Sequence, residues 1–548
     1  MNANQNQCSM AATHQTKAWR GPKDDFLSAF WRLAGLGAAL FAAQAGAAEK
    51  VFNVNDFGAA GDGQTLCTPA LQKAIDAAGA AGGGIVLFPA GTFLSGSLQL
   101  RSGVTLQLDA GATLLGSRDA KDYLSPSADG AGTERGYHEL IHGERLHNIA
   151  LRGAGTIDGN GDAFHDNNRW RPKNILLEEC ADVLVEGVHL RASGSWMEHY
   201  RLCTNVVIRG IAVFNHVTFN NDGLDVDSCT HVTITDCRVE SDDDGICLKS
   251  MSGVPCRNVT ITGCVSSSHC NALKMGTESG GGFIDISISN CTVFSPTNSH
   301  KFYGSLRGMS GIALEIVDGG RLENVSVTDV KISGVDTPMF LRLGDRGRTY
   351  GRAEKPAVGT FHNVLLKNIT AEKCSSRGCV IAGLPGHPIE DVLLQNISLG
   401  FEGGGTLADT ERSISEQPDA YPDAWRFGTL PAYGFFCRHV KNLRFDNVKL
   451  RTEAADQRHA LILDDAENAA LRGLDVAGWP GGKALLRFVQ AHDVTISGCA
   501  VHEPADLLLQ LEGEKTKNIL LEKSDVQSVK KISTAAPGVP ADAFAQTP

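Results

Sequence analysis

A short phrase recurs along most of this chain, and its spacing limits the folds that the chain can adopt. Each copy begins with Asn, Asp or His, continues with alternating aliphatic and polar residues, and closes with Gly, Asp or Asn. Many successive copies lie 23 to 28 residues apart, with longer gaps of 39 and 51 residues. A nearly fixed period in this range predicts stacked supersecondary units. The copies begin at Asn148, Asp182, Asn205, His231, Asn258, Asp285, Asn324, Asn363, Asp391, Asn442, Asn468, Asp493 and Asn518.

Each copy has the pattern of a β-strand and not of a helix. Val232–Thr235 and Ile286–Ser289 alternate β-branched and polar residues with a period of two, which is typical of strands. Helical solenoids need amphipathic runs of about ten residues, and the middle of the chain has none. We therefore predict an all-β protein, a right-handed parallel β-helix whose coils bury columns of like residues.

Two such columns can be recognised in the sequence. Cys237, Cys264 and Cys291 occupy the same place in successive phrases, and Cys499 takes that place far downstream. We interpret this row as an inward stack of small apolar thiols. The Asn or Asp that opens each phrase is interpreted as a ladder of turn residues, because Asx side chains tolerate tight left-handed bends.

The composition excludes some functions. The 548 residues are 42% hydrophobic and include 61 glycines, which suits a long coil with several bends per turn. The formal net charge of −12 argues against binding to nucleic acid or to an anionic membrane surface. It leaves an acidic polysaccharide open as a substrate, because a local basic groove can exist on an acidic protein.

The two ends of the chain differ from its middle. Lys17, Arg20 and Lys23 precede an apolar stretch over residues 26–43 and the small residues 45–48, so residues 1–48 are predicted as an export signal. An uncleaved anchor is the alternative. We predict a single β-helix domain over residues 49–530, a disordered tail over 531–548, and a monomer in the periplasm or outside the cell. Among the 15 cysteines, Cys374 and Cys379 could form a local disulfide.

One short helix is predicted ahead of the repeats. Residues 71–78 read Leu-Gln-Lys-Ala-Ile-Asp-Ala-Ala, and three glycines and the strand 85–88 follow. A helix at this place can cover the open end of the coil, where apolar core and unpaired strand edges would otherwise be exposed.

Two groups of aspartates, 21 residues apart, are the candidate chemistry. Asn220, Asn221 and Asp222 form the first group, and residues 242–244 are three consecutive aspartates. Since 21 residues is close to one coil, Asp222 is expected to stack on Asp243. Glycoside hydrolysis needs such a set, with one acid protonated and one carboxylate charged. The alternative is that these residues cap turns or form a solvated bend, and we interpret Asp225, Asp227 and Asp242 in that way.

Longer motifs carry a resemblance to a known family. They are residues 56–63, 88–92, 155–161 and 195–205, together with Asn220–Asp222, Gly223, Asp225 and the pair Asp243–Asp244. Over roughly residues 50 to 450 the chain resembles glycoside hydrolase family 28, the polygalacturonases and rhamnogalacturonases. The resemblance implies an inverting hydrolase that acts on pectin-type polysaccharide or its oligosaccharides and needs no metal or cofactor. It implies that Asp243 is the acid and that Asp222 and Asp244 activate the water.

Two family motifs are altered in this chain. The family's Gly-His-Gly is replaced by a segment in which His269 is offset by two residues, and Lys274 replaces a small polar residue. The family's Arg-Ile-Lys, which grips the uronate carboxylate, is replaced by Ala313-Leu314-Glu315. We predict Asn220, His269, Lys274 and Arg342 as substrate-binding residues, with Arg346 as another source of the missing grip. Otherwise, the sugar bound there is not a free uronate.

The role of a long insertion has two interpretations, and two other functional classes are compatible with the sequence. Residues 402–439 break the period and are rich in aromatics, so they could wall a sugar cleft or pack as a lid on the side of the coil. If they close one end of the groove, the enzyme acts from chain ends. A polysaccharide lyase or epimerase on the same scaffold would use Ca²⁺, and a surface adhesin would bind sugar without turnover.

Overall fold

The structure is a computed structural model that describes residues 50–123, 139–166, 170–297 and 304–547. Strands dominate these residues. In chain order they are β1 (Val51–Asn53), β2 (Asp62–Leu66), β3 (Gly84–Phe88), β4 (Gly91–Ser95), β5 (Leu98–Gln99), β6 (Val104–Leu108), β7 (Ala112–Gly116), β8 (Ile141–Glu144), β9 (His147–Gly153), β10 (Thr156–Asp158), β11 (Ile175–Glu178), β12 (Ala181–Glu186), β13 (His189–Arg191), β14 (Glu198–Arg201), β15 (Thr204–Arg209), β16 (Ala212–Asn215), β17 (Leu224–Asp227), β18 (Thr230–Thr235), β19 (Arg238–Ser241) and β20 (Ile246–Ser250).

The second half continues in the same way. Its strands are β21 (Cys256–Thr262), β22 (Val265–Ser268), β23 (Asn271–Ser279), β24 (Gly282–Ser289), β25 (Thr292–Phe294), β26 (Ser310–Ile316), β27 (Arg321–Ser333), β28 (Thr337–Leu343), β29 (Thr360–Cys374), β30 (Cys379–Ala382), β31 (Ile389–Phe401), β32 (Ala432–Lys441), β33 (Arg444–Thr452), β34 (His459–Val476), β35 (Leu486–Val489), β36 (His492–Ser497), β37 (Ala500–Val501), β38 (Ala505–Glu512), β39 (Lys517–Glu522), β40 (Val529–Ala535) and β41 (Phe544–Thr547). The α-helices are α1 (Thr68–Ala80) and α2 (Leu407–Thr410), and 3₁₀ turns span Val54–Phe57, Ala120–Tyr123, Gly161–Phe164 and Ala424–Phe427.

The strands coil into a right-handed parallel β-helix, as the repeat predicts. From β3 to β24, each strand pairs in parallel with the strand three places further along, so that three strands make one coil. Val183 of β12, for example, lies between Ile149 of β9 and Val206 of β15. Further on, two strands of a coil merge into one long bent strand, and β27 pairs with both β24 and β25.

The turn ladder is confirmed. The residues that open the thirteen phrases all have positive φ, between 53° and 58°, which is the left-handed region that Asn and Asp tolerate. Their side chains also hydrogen-bond from coil to coil: Asn363 Nδ2 donates to Asn324 Oδ1 at 2.6 Å, and Asn324 Nδ2 donates to Asp285 Oδ1 at 2.8 Å. The Asx residues therefore fix the bend and also link neighbouring coils.

The thiol stack is confirmed as well. Cys237, Cys264, Cys291 and Cys499 are buried free thiols. A second buried column, which the sequence analysis missed, consists of Cys180, Cys203, Cys229 and Cys256. Cys374 and Cys379 also carry free thiols, so the structure does not contain the disulfide considered for them.

Helix α1 lies at the N-terminal end of the described coils. Its buried residues Leu71, Ala74, Ile75 and Ala78 join the same hydrophobic core as the first strands, including Val86 and Phe88 of β3. Residues spaced three and four apart form one apolar face of a helix. The predicted capping helix is therefore confirmed.

Two predicted boundaries differ from the structure, and a third lies outside the described residues. The disordered tail over 531–548 is wrong as far as residue 547, because β40 pairs with β38, and β41 pairs with β39. The insertion ends at residue 431, since residues 432–439 belong to β32, and Tyr433 is buried in the core. The predicted export signal lies outside the described residues and stays a prediction, as does the monomer. No helix in the described part of the chain has the length and apolar character needed to span a membrane.

Candidate active site

One outer face of the β-helix is polar over four successive coils. Strands β14, β17, β20 and β23 pair in register, so that His199, Asp225, Cys247 and Lys274 form an outward row. Alternate residues of a strand point to opposite faces. The adjacent inward row begins at Tyr200 and is apolar in the next three coils. The sequence therefore places a line of ionisable side chains on one face while the other face builds the core.

The aspartates meet at the start of these strands, one residue away from the predicted register. Leu224 pairs with Ile246, and the Gly223 amide donates to the Asp244 carbonyl at 2.8 Å, so this coil is 22 residues long. Asp222 is therefore aligned with Asp244 and not with Asp243 as predicted. The hydrogen bonds of the parallel pair set this register. The two groups of aspartates still lie in adjacent coils at one place.

A buried lysine holds the carboxylates together. Lys249 Nζ lies 3.2 Å from Asp222 Oδ2, 3.3 Å from Asp225 Oδ1 and 3.9 Å from Asp244 Oδ2. It also lies 3.7 Å from Glu278 Oε2 and 4.4 Å from the centre of the Trp196 ring. Buried carboxylates repel one another unless a cation compensates them. Lys249 supplies that charge, although sequence reasoning did not select it.

The adjacent aspartates Asp243 and Asp244 have opposite protonation tendencies. Burial, with the neighbouring Asp244 charge, raises the pKa of Asp243 to about 7. The pKa of Asp244 is lowered although burial acts to raise it, because Lys274, Lys249 and the Asn271 amide favour its charged form. Asn271 Nδ2 donates to Asp244 Oδ1, and Lys274 Nζ donates to Asp244 Oδ2, both at 2.9 Å. The site therefore holds a proton on one carboxyl and a charge on the next.

Asp222 differs from the expectation of a fully charged base. Burial raises its pKa well above the usual range, the charges of Asp243 and Asp244 raise it further, and Lys249 opposes them. Because these groups interact strongly, the cluster titrates as a set. The interpretation of Asp225 and Asp227 as turn or solvated residues is wrong, since both lie within β17 and are fully buried. Asp242 lies in a bend, as interpreted, but with an exposed fraction of 6% it is not solvated.

The exposed rim carries Asn220 and its neighbours. Asn220 Nδ2 lies 3.4 Å from Asp243 Oδ2, and its Oδ1 accepts from Arg171 at 3.0 Å. Arg171 also donates to the Gly194 carbonyl at 3.1 Å and packs over the Phe219 ring at 3.6 Å. Arg171 thus orients Asn220 beside Asp243. Sequence reasoning missed it because it lies about two coils earlier in the chain.

Trp196 forms a second part of the rim. Its ring lies 4.5 Å from Lys173 Nζ and 5.0 Å from the His199 ring centre. Burial and the neighbouring Lys173 lower the pKa of His199 to about 4, so the ring is neutral, and its Nδ1 lies 2.9 Å from Lys173 Nζ. Trp196 lies in one of the segments that carry the family resemblance, and the sequence predicts no role for it.

His269 lies next to the aspartates, although it does not reach the surface. Its exposed fraction is 1%, and its Nε2 lies 3.8 Å from Asp242 Oδ1. Asp242 is also 2.6 Å from His216 Nδ1. His269 therefore packs beside Asp242, and its role in binding substrate stays a prediction.

Lys274 and Arg342 have different surroundings. Lys274 is buried, pairs with Asp244 and lies 3.9 Å from Glu315 Oε2, so it belongs to the carboxylate cluster. Arg342 donates to the carbonyls of Gly383, Glu416 and Gln417 at 3.1, 2.6 and 3.2 Å. The structure therefore separates Arg342 from the predicted binding set, because its donors are used to hold the insertion.

One group in the site has metal-ligand geometry. Asp243, Asp244 and Cys270 each offer a ligand atom, and the three atoms lie within 4.8 Å of one another. The ammonium groups of Lys274 and Lys249, 2.9 and 3.9 Å from Asp244, already supply positive charge there. A cation would have to bind against both of them, so these residues fit a proton-transfer site better than a metal centre.

Comparison with known proteins identifies the family. The sequence model of the glycosyl hydrolases family 28 matches residues 84–418, which is more than half of the chain. The chain therefore belongs to this family. A probable polygalacturonase of Vitis vinifera is 38% identical over 212 residues, covering 36% of this chain and 43% of that protein. An exo-poly-alpha-D-galacturonosidase of Dickeya chrysanthemi is 34% identical over 163 residues, covering 26% of this chain and 23% of that protein.

These matches span less than half of each relative's length. Among solved structures, the family 28 exopolygalacturonase of Yersinia enterocolitica has a TM-score of 0.58. It is 20% identical, and the match covers 77% of this chain and 79% of that one. At this identity the likeness is one of fold.

Proposed function

We propose that the protein is an inverting O-glycosyl hydrolase that cleaves pectin-type polysaccharide or its oligosaccharides. The observation that carries this proposal is the pair Asp243 and Asp244, two adjacent buried carboxyls with pKa values moved in opposite directions. A site that separates the pKa values of two carboxyls has an acid and a base available at one pH. Membership of family 28 and the names of the curated relatives support the substrate class.

The reaction is a single displacement at the anomeric carbon. Asp243 gives its proton to the glycosidic oxygen as the bond from that oxygen to the anomeric carbon breaks. A water molecule attacks the anomeric carbon from the opposite face, and its proton passes to Asp244 with Asp222 beside it. Lys249 keeps the remaining carboxylates compensated while the charge moves. Asn220 lies on the exposed side of Asp243, where it can hydrogen-bond a substrate hydroxyl.

The insertion supports action from chain ends. Beyond Lys274 the outward row of the sheet becomes apolar, with Ala313, Phe340, Val380, Phe436 and Ile462 in successive coils. Insertion residues Ile414, Ala424 and Leu430 pack on this row in one hydrophobic cluster. Because the insertion covers the sheet directly after Lys274, a long polysaccharide cannot continue along the groove in that direction.

Two measurements test the proposal. Purified protein is incubated with homogalacturonan, rhamnogalacturonan and their oligomers, and nuclear magnetic resonance follows the anomeric signal of the first product. Inversion predicts that the new reducing end has the opposite configuration to the cleaved bond, and a retained configuration would contradict it. A product that absorbs in the ultraviolet and depends on Ca²⁺ would indicate a lyase, and binding without turnover would indicate an adhesin.

The chain-end proposal has its own readout. Viscosity and reducing ends are followed together on a long soluble pectin. Action at chain ends predicts small products from the first minutes and a slow fall in viscosity. A rapid fall in viscosity with long products would show internal cleavage and would contradict the proposed role of the insertion.

A further inference from the structure

A column of side chains runs along the cleft in line with the aspartates. Lys173, Trp196, Asp222 and Asp244 each lie two residues before the first paired residue of their strands, which are β11, β14, β17 and β20. Because these strands pair in register, the four residues lie in successive coils at one place around the β-helix. Neighbouring strands are about 4.8 Å apart, so Lys173 lies about 10 Å along the axis from Asp222, towards the earlier coils.

Lys173 has hydrogen-bond donors that the protein does not use. Its ammonium donates to Nδ1 of the neutral His199 ring, 2.9 Å away, and lies 4.5 Å from the centre of the Trp196 ring. An ammonium has three donors, so two remain after this hydrogen bond. No carboxylate in the described part of the chain forms an ion pair with Lys173. Lys249, which lies against the same Trp196 ring, is in contrast paired with four carboxylates.

The acid that approaches Lys173 from the preceding coil does not cancel its charge. Glu139 Oε2 accepts from the backbone amide of Lys173 at 2.5 Å. Burial raises the pKa of Glu139 to about 7, although Lys173 opposes the rise, so this carboxyl is neutral in mildly acidic solution. The lowered pKa of His199 keeps that ring neutral there as well. Lys173 therefore presents a positive charge at the edge of an acidic cluster.

The open direction of the cleft leads towards this lysine. In the proposed function, the insertion covers the sheet after Lys274, so the substrate chain continues over the earlier coils, where Trp196 and Lys173 follow Asp222. Lys173 and Trp196 are both partly exposed and contribute to the surface there. A carboxylate is attracted to an ammonium with available donors, and such a charged hydrogen bond is about twice as strong as a neutral one.

We propose that Lys173 binds the carboxylate of a uronate residue on the earlier-coil side of the cleaved bond, with His199 and Trp196 holding its ammonium in place. This inference rests on the proposed function and narrows its substrate class to chains that carry a uronate at that position. Lys173 is then a specificity-determining residue. It lies on the opposite side of the aspartates from Lys274 and Arg342, which the sequence predicts as binding residues.

The first experiment measures binding, so it does not depend on the proposed reaction. Calorimetry at pH 6 with the variant Asp243→Asn compares a galacturonate oligomer with its methyl ester of the same length. The free acid is expected to bind at least about tenfold more tightly than the ester, because the ester lacks the charge that Lys173 recognises. Equal affinity for the two forms, or no binding of the free acid, would overturn the inference.

Variants at Lys173 in the same background assign the preference to this residue. Lys173→Met removes the charge, Lys173→Gln removes it but keeps an N–H donor for His199, and Lys173→Arg keeps the charge. The Met and Gln variants are expected to reduce the acid-to-ester preference at least about fivefold by weakening binding of the acid alone, and the Arg variant is expected to retain it. The Gln variant keeps the test informative if the Met variant folds poorly.

A matched control and one contrary outcome complete this test. Lys331→Met removes an exposed lysine of β27, several coils away from the aspartates, and should leave the preference unchanged. If Lys173→Met and Lys173→Gln weaken the acid and the ester equally, Lys173 only supports the structure of the cleft, and the inference is overturned.

The inference and the proposed function can fail separately. If the wild-type protein cleaves no substrate and the preference for the acid still depends on Lys173, the proposed function fails and the inference stands. If the wild-type protein cleaves pectic oligomers and the variants at Lys173 leave the preference unchanged, the proposed function stands and the inference fails.

Discussion

Replacing Asp243 by Asn should make the protein more stable and nearly inactive at the same time. The substitution keeps the shape of the side chain and removes its charge and its proton. In the wild type, the Asp243 carboxyl lies among Asp222, Asp244 and the buried lysines, with 7% of the residue exposed. The acid that the proposed reaction needs is therefore also a group whose charge opposes folding.

The size of the stability effect follows from the pKa. The pKa of Asp243 rises from an ordinary 3.8 to about 7 in the folded protein, and each pKa unit corresponds to about 1.4 kcal/mol. The charged carboxylate therefore costs roughly 4 kcal/mol of unfolding free energy. Since the folded pKa is the higher one, this cost is absent below pH 3.8, grows as pH rises, and is complete above pH 7. The variant should gain about 4 kcal/mol at pH 8 and little at pH 4.

The assay combines urea unfolding with turnover. Unfolding midpoints of wild type and Asp243→Asn are measured by tryptophan fluorescence at pH 4 and pH 8, and kcat is measured on the best pectic oligomer. Loss of a general acid predicts a fall in kcat of about 10² to 10⁴-fold. The matched control is Asp236→Asn, an exposed turn residue with a φ of 54° that asparagine tolerates. This control should change neither the unfolding midpoint nor kcat.

Two outcomes would refute this reasoning. Turnover within about threefold of wild type would mean that Asp243 is not the acid, since proton transfer contributes far more than that. A stability gain that is the same at pH 4 and pH 8 would mean that the charge of Asp243 is not the source of the effect.

Three further predictions follow from the same contacts. Lys249→Met should lose about 3–5 kcal/mol of unfolding free energy, because it leaves several carboxylates uncompensated, and adding Asp225→Asn should recover part of that loss in urea unfolding. The wild-type pH–rate profile should show kcat/KM falling as pH rises through about 7, because Asp243 must hold its proton to act as the acid. Asn363→Ala should cost about 2–3 kcal/mol, measured by the unfolding midpoint, since alanine is strained at a φ of 58° and loses the bond to Asn324. Asn363→Gly also loses the hydrogen bond but avoids the backbone strain, so it should lower the unfolding free energy by less than Asn363→Ala does.

The parts of the fold that the sequence predicts well are those with a local and repeated cause. Each Asx turn needs one residue that tolerates a left-handed backbone, so Asn363 and its equivalents can be recognised one by one. The capping helix is recognisable because Leu71, Ala74, Ile75 and Ala78 form one apolar face. The site itself is signalled by two groups of aspartates about one coil apart, and the structure brings them together.

Other features depend on contacts that no local pattern contains. The coil at the site is 22 residues long and not 21. This single residue changes the residue aligned with Asp222 from Asp243 to Asp244. Lys249 is the one charged residue of β20, and its importance appears only when Asp222 and Asp225 lie around it. Arg342 has the residue type of a carboxylate ligand, yet its donors bind carbonyls of an insertion about 74 residues further along.

The position of the site along the coil has a consequence for how the protein loses activity. In a solenoid, each coil is stabilised mainly by its two neighbours, so opening begins at the terminal coils and advances inward. Asp222, Asp243 and Lys274 lie several coils away from both the capping helix and the last strands. Mild heating can therefore melt the extremities while the catalytic geometry persists, and the temperature of inactivation should lie above the temperature at which the outermost amides begin to exchange with solvent.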